Sequence, residues 1–117
     1  MRNNMAAPTH LTLNEKNAIN TLVDNIKNEL KEQVIQIRLF GSKIRGKSHD
    51  DSDIDILIVV RERTQSILDT IADISLKVDL EYDVNISLTI FSIEEFDQNR
   101  IWETEFIQNI QREGVSL

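Results

Sequence analysis

The stretch Gly41-Ser42-Lys43-Ile44-Arg45-Gly46-Lys47-Ser48-His49-Asp50-Asp51-Ser52-Asp53-Ile54-Asp55 decides how this chain folds. Its first eight residues satisfy the phosphate-loop pattern G-x-x-x-x-G-K-S letter for letter. Its whole length also fits a glycine-serine turn followed by a strand that carries two carboxylates. Both readings place a nucleoside triphosphate on the loop, but they demand different folds and different chemistry.

The phosphate-loop reading needs a helix straight after the loop, because the helix N-terminal amides and dipole hold the phosphates. Here His49-Asp50-Asp51-Ser52 is followed by Asp53 to Val60, which is nearly all apolar after Asp55 and reads as a strand covered on both faces. No room remains for a crossover helix of a dozen residues. A calcium loop starting at Asp51 fails too: its sixth position, where the sharp turn calls for glycine, is Ile56.

The second reading uses every piece. Asp53 and Asp55 are two apart on a strand, so both carboxylates project from one face with Cα atoms roughly 6–7 Å apart. Such a pair repels itself unless a hard divalent cation sits between the carboxylates. Mg²⁺ takes one or two carboxylates and fills its octahedron with phosphate oxygens and water. Upstream, Gly41-Ser42 turns sharply off the preceding strand and leaves backbone amides and a hydroxyl for phosphate oxygens. Lys43, Arg45 and Lys47 add positive charge, with Arg45 the candidate phosphate contact. His49 reads as a loop residue rather than a ligand.

Outward from this stretch the elements alternate. Thr12-Leu13-Asn14-Glu15 is a capping box, and Ile19, Leu22, Val23, Ile26 and Leu30 follow at helical spacing, predicting a helix over 13–32. Residues 34–40 alternate and are β-branched, a strand that Gly41 ends. The loop covers 41–52 and a second strand 53–60. A second helix is expected over 66–81 and a third strand over 84–91. Ser92-Ile93-Glu94-Glu95 is another capping box, opening a short helix. A last helix is expected over 101–113, with Gly114 as its stop. The fold class is therefore α/β (α+β): a small mixed sheet with helices packed against it. Residues 1–11 read as a flexible start and 12–117 as a single domain.

Composition sets the outer limits. The chain has 117 residues, no cysteine and a formal net charge of −7. Disulfides, thiolate metal sites and a cysteine nucleophile are excluded. The acidic balance argues against a broad nucleic-acid-binding surface, which needs a basic face. It does not argue against one nucleotide held with metal ions. No apolar run approaches the roughly 20 residues of a membrane span, and the start lacks a signal-peptide pattern. A cytoplasmic location without membrane association is the expectation.

The run Gly41-Ser42-Lys43-Ile44-Arg45-Gly46 … Ser52-Asp53-Ile54-Asp55-Ile56 resembles the signature of the DNA polymerase β-like nucleotidyltransferase superfamily, G-S-x-A-R-G … S-D-[IL]-D-[IL]. It is most similar to the minimal, single-domain prokaryotic members (MNT-type, MntA-like). Phe91-Ser92-Ile93-Glu94-Glu95-Phe96 and Phe106 to Val115 resemble the later parts of that family, so the resemblance runs from about residue 12 to the end. It implies the polymerase β-like palm fold, with Mg²⁺ (two ions) on Asp53 and Asp55. It implies a nucleoside triphosphate, ATP by expectation, on Gly41, Ser42 and Arg45. The implied reaction transfers a nucleoside monophosphate to an acceptor hydroxyl. Many minimal members pair with a small helical HEPN protein as antitoxin and toxin, which makes such a partner, or self-association, the expectation here.

One departure stands out. The family's third carboxylate usually lies on the next strand and helps activate the acceptor. Here the same-face positions of that strand are Asn85, Ser87 and Thr89, and the acid at its start is Asp83. Asn and Ser orient a hydroxyl but are poor general bases, so Asp83 is the candidate third catalytic residue beside Asp53 and Asp55. Two functions follow: an Mg²⁺-dependent nucleotidyltransferase, or a catalytically degenerate binding module of the same fold that holds a partner protein.

Overall fold

The computed structural model describes residues 11–40, 53–101 and 115–117. Helix α1 (Leu13–Leu30) starts at the Thr12 cap. Thr12 Oγ1 accepts the Glu15 N–H at 3.1 Å, and Glu15 Oε1 accepts the Thr12 N–H at 2.9 Å. Two of the four orphan donors of the first turn are thereby satisfied. The helix stops two residues short of the expected 32. Lys31 turns the chain with φ 48° and a short 3₁₀ turn, Lys31–Gln33, leads into strand β1 (Val34–Phe40). Strand β2 (Ile54–Val60) begins one residue later than expected, and Asp53 lies just outside it.

Helix α2 (Gln65–Tyr82) is capped by Thr64, whose Oγ1 accepts the Ile67 N–H at 3.3 Å. It outlasts the expected range at both ends. Strand β3 (Ile86–Ser92) consequently starts at Ile86 rather than 84. The Ser92 box opens helix α3 (Ile93–Ile101) as expected: Ser92 Oγ accepts the Glu95 N–H at 3.0 Å and Glu95 Oε1 accepts the Ser92 N–H at 2.9 Å. These bonds hold the Glu95 carboxyl below the usual range. The helix expected over 101–113 lies outside the described residues, apart from Ile101, which belongs to α3. A two-residue strand β4 (Val115–Ser116), not foreseen from the sequence, completes the sheet.

The sheet order is β3-β2-β1-β4. β1 pairs antiparallel with β2 and β4, and β2 pairs parallel with β3 through the α2 crossover. It is the mixed sheet the sequence implied. The two faces of β2 divide the core. Ile54, Ile56, Ile58 and Val60 face α1 and α2, meeting Ala18, Ile19, Leu22, Ile26, Ile71 and Val78. Leu57 and Val59 face the other side and pack on Phe96 of α3, with Phe40, Phe91 and Ile93 around them. From Ile56 to Val60 the central strand is wholly buried, which explains its unbroken apolar run. α1 and α2 are tied by the Asn14 amide, which donates to the Tyr82 carbonyl at 2.7 Å, and by a Thr21–Tyr82 hydroxyl pair at 2.7 Å. No described helix is long and apolar enough to cross a membrane.

Candidate active site

Asp53 and Asp55 flank Ile54, which points into the core, so both carboxylates emerge on the face shared by Leu57 and Val59. Among the described residues, α3 packs on that face farther along β2. Asp53 is exposed and Asp55 half-buried. In the ladder Asp55 lies opposite Phe40, the last residue of β1, and opposite Ser87 of β3. The C-terminal end of β1 and the N-terminal ends of β2 and β3 therefore meet at one end of the sheet. Residues 41–52 leave and rejoin the fold there. Gly41, Ser42 and Arg45, together with Lys43, Lys47 and His49, lie outside the described residues.

The phosphate-loop reading is closed by this topology. Only residues 49–53 separate its Lys47-Ser48 from β2, too few for the helix that motif requires.

The third strand supplies two neutral neighbours. Ser87 is the cross-strand partner of Asp55, and Asn85 sits beside Asp53. The Asn85 Nδ2 donates to Asp53 Oδ1 at 3.0 Å, while the Asn85 carbonyl accepts the Ile54 N–H at 2.9 Å. Both residues are exposed. Asp83 is not at a strand edge. It caps α2 in the left-handed conformation, φ 54° and ψ 51°, and its own N–H donates to the Asp79 carbonyl. Asp83 is therefore exposed on the turn before β3 rather than on the ladder that carries Asn85 and Ser87.

Two further residues bear on the site: Asp79, which the sequence places on the helix before the third strand, and Arg38, which the sequence did not single out. Asp79, in the last turn of α2, accepts the Ile86 N–H through Oδ1 at 3.1 Å. Partial burial pushes its carboxyl up, the Ile86 N–H pulls it down, and the charge of Asp53 pushes it up again. Asp79 is thus electrostatically coupled to Asp53 from the helix side. A signal existed in the Asp79–Asp83 i,i+4 spacing at a helix end, but only the structure shows the chain folding back onto it. Arg38, the ladder partner of Leu57, brings a half-buried guanidinium to the same face of the sheet, and burial lowers its pKa.

The donor set suits a hard cation. Among the described residues it consists of two carboxylates on one strand face, flanked by an amide and a hydroxyl, with no sulfur or imidazole. Among the described residues no group of three or more His, Cys, Asp or Glu forms a closed metal cage. A cation on Asp53 and Asp55 would keep positions open for other oxygen ligands, as Mg²⁺ commonly does in phosphoryl transfer.

Comparison with known proteins gives the family and the fold. The nucleotidyltransferase domain model matches residues 23–115. A Methanocaldococcus jannaschii protein named as a protein adenylyltransferase (MJ0604) is 35% identical over 105 residues, covering 90% of this chain and 99% of its own length. Among solved structures, a minimal nucleotidyltransferase shares the fold at TM-score 0.57 and 21% identity, over 87% of this chain and 94% of its own. A toxin–antitoxin structure with AMP-PNP shares it at TM-score 0.53 and 18% identity, over 81% of this chain and 68% of its own. With a paired-aspartate strand at one end of a mixed sheet and a family match across most of its length, this chain belongs to the nucleotidyltransferase domain family and is a nucleotidyltransferase.

Proposed function

We propose that the chain is an Mg²⁺-dependent adenylyltransferase that moves AMP from ATP onto a hydroxyl of a partner protein. In this reading it is the antitoxin of a toxin–antitoxin pair whose toxin is a small helical HEPN-type protein. The observation that carries the chemistry is the placement of Asp53 and Asp55 on one face, at the sheet end where residues 41–52 depart and return. The relative named as a protein adenylyltransferase supports a protein acceptor, and the toxin–antitoxin neighbour with AMP-PNP supports the nucleotide and the kind of partner.

In this reading Asp53 and Asp55 hold Mg²⁺, which supplies charge neutralisation at the triphosphate. Gly41, Ser42 and Arg45 bind phosphate oxygens. The acceptor oxygen forms a bond to the α-phosphorus as the bond to the bridging oxygen breaks. Pyrophosphate leaves, and the acceptor proton passes to a base. With Asn85 and Ser87 beside the aspartates, the third strand offers hydrogen bonds rather than a third carboxylate at these positions. That feature favours the second reading, a binding module of the same fold that holds its partner without modifying it.

One assay separates the two. The chain is incubated with Mg²⁺, α-labelled ATP and the product of the neighbouring gene, alongside Asp53→Asn and Asp55→Asn. Label should move to the partner with the unsubstituted chain and fall at least about a hundredfold with either variant, the scale expected when charge stabilisation of the transition state is removed. A stable complex without any label transfer would overturn the enzyme reading and leave the binding module.

A further inference from the structure

We propose that Asn85 is the positioning residue of the metal site, a neutral amide that aims the Asp53 carboxylate. The inference rests on the reading of Asp53 and Asp55 as cation ligands. Its starting observation is the 3.0 Å bond from Asn85 Nδ2 to Asp53 Oδ1, which spans 32 residues of sequence and joins two strands.

Asn85 is no ordinary surface amide, because the backbone around it is tied down. Its carbonyl accepts the Ile54 N–H at 2.9 Å, at the foot of the β2–β3 ladder. On one side the Val84 N–H donates to the Asp79 carbonyl at 3.2 Å. On the other the Ile86 N–H donates to the Asp79 carboxylate at 3.1 Å. Asp79 thus grips the chain before and after Asn85 with two different oxygens. The side-chain amide leaves a fixed backbone and meets a carboxylate whose own strand is locked to it through Ile54.

The chemistry explains why an amide serves at this point. An ionised carboxylate has about four lone-pair sites and accepts only. One donor from Asn85 fixes the plane of Asp53 while leaving most of those sites for a cation. An acid at position 85 would set a like charge about 3 Å from Oδ1 and repel it. The amide orients the carboxylate without that repulsion. Partners that orient a metal-binding group in this way commonly change metal affinity by 10–100-fold when removed.

The test is direct Mn²⁺ binding to the nucleotide-free full chain, followed by the electron paramagnetic resonance signal of free Mn²⁺. Wild type, Asp53→Asn and Asn85→Ala are compared, with thermal unfolding measured on each. Mn²⁺ is the probe because it shares the hard-oxygen preference of Mg²⁺. Asn85→Ala should weaken Mn²⁺ binding about tenfold, with unfolding without metal close to wild type, since the residue is exposed. Asp53→Asn should weaken it further. Equal Mn²⁺ affinity in wild type and Asn85→Ala, with binding lost in Asp53→Asn, would refute the role of Asn85 and leave the aspartate site standing. Absence of Mn²⁺ binding in wild type would overturn both the aspartate site and the inference built on it.

Discussion

Replacing Asp79 by Asn and by Ala separates what its charge costs from what its hydrogen bond contributes. Both variants remove a carboxylate that is partly desolvated and coupled to Asp53. Only Asn keeps an oxygen for the Ile86 N–H, which Asp79 accepts at 3.1 Å in a half-buried setting. Leaving that donor unpaired costs about 1–3 kcal/mol. Alanine's better helix propensity offsets roughly 0.6 kcal/mol of this. Asp79→Ala should therefore be less stable than Asp79→Asn by about 0.4–2.4 kcal/mol, or roughly 2–10 °C in Tm for a domain of this size.

The charge term has its own signature. The Asp79 pKa is raised in the folded state, so the folded protein holds this proton more tightly than the unfolded chain does. Its contribution to stability is then most favourable below the unfolded value of 3.8 and is lost as pH rises through the raised folded value. At neutral pH ionised Asp79 is a net cost, and Asp79→Asn should be at least as stable as wild type there. That advantage should disappear below pH 3.8. Thermal unfolding of the three metal-free proteins across this range measures both terms. Equal Tm values for Asn and Ala at every pH would refute the claim that Asp79 braces the turn before β3. A wild-type protein more stable than Asp79→Asn at pH 7 would refute the sign of the charge term.

Other outcomes follow from the same structure. Ile58→Ala, at a fully buried position of the central strand, should cost about 2–5 kcal/mol in urea unfolding. Lys31→Gly should raise Tm, because Lys31 holds φ 48° and ψ −115°, a conformation that only glycine adopts at little cost. Asp83→Gly should also stabilise, by about 0.5–1 kcal/mol, since Asp83 is the left-handed cap of α2. Retained AMP transfer in that variant would make Asp83 a cap alone, whereas lost transfer at unchanged ATP binding would give it the catalytic part.

Much of this architecture was legible because local signals and tertiary packing agree. The box at Thr12 and the spacing of Ile19, Leu22, Val23 and Ile26 mark α1, and both box bonds form. Val34–Phe40 coincides with the expected strand because Gly41 follows it directly. The errors fall where a stop is carried by an unusual residue. No glycine ends α2, so the left-handed turn falls to Asp83, and the sequence alone left Asp83 looking like part of a strand. β4 is two residues long and has too little pattern to read. The aspartate pair was visible from its period of two. The Asn85–Asp53 bond was not, because it depends on the parallel register of β2 and β3, which no single segment encodes.

The pairing of Phe40 with Asp55 anchors both ends of the intervening segment on adjacent, hydrogen-bonded strands. The framework and the length of that segment are thereby separable. The cost of closing a segment whose ends are already held together grows slowly with length, by about 0.6 kcal/mol per doubling. Insertions and deletions between positions 46 and 52 can therefore be absorbed without shifting the strand that carries the two aspartates. Length changes beyond Arg45 can thus leave in place both the aspartate strand and the residues proposed to bind phosphate.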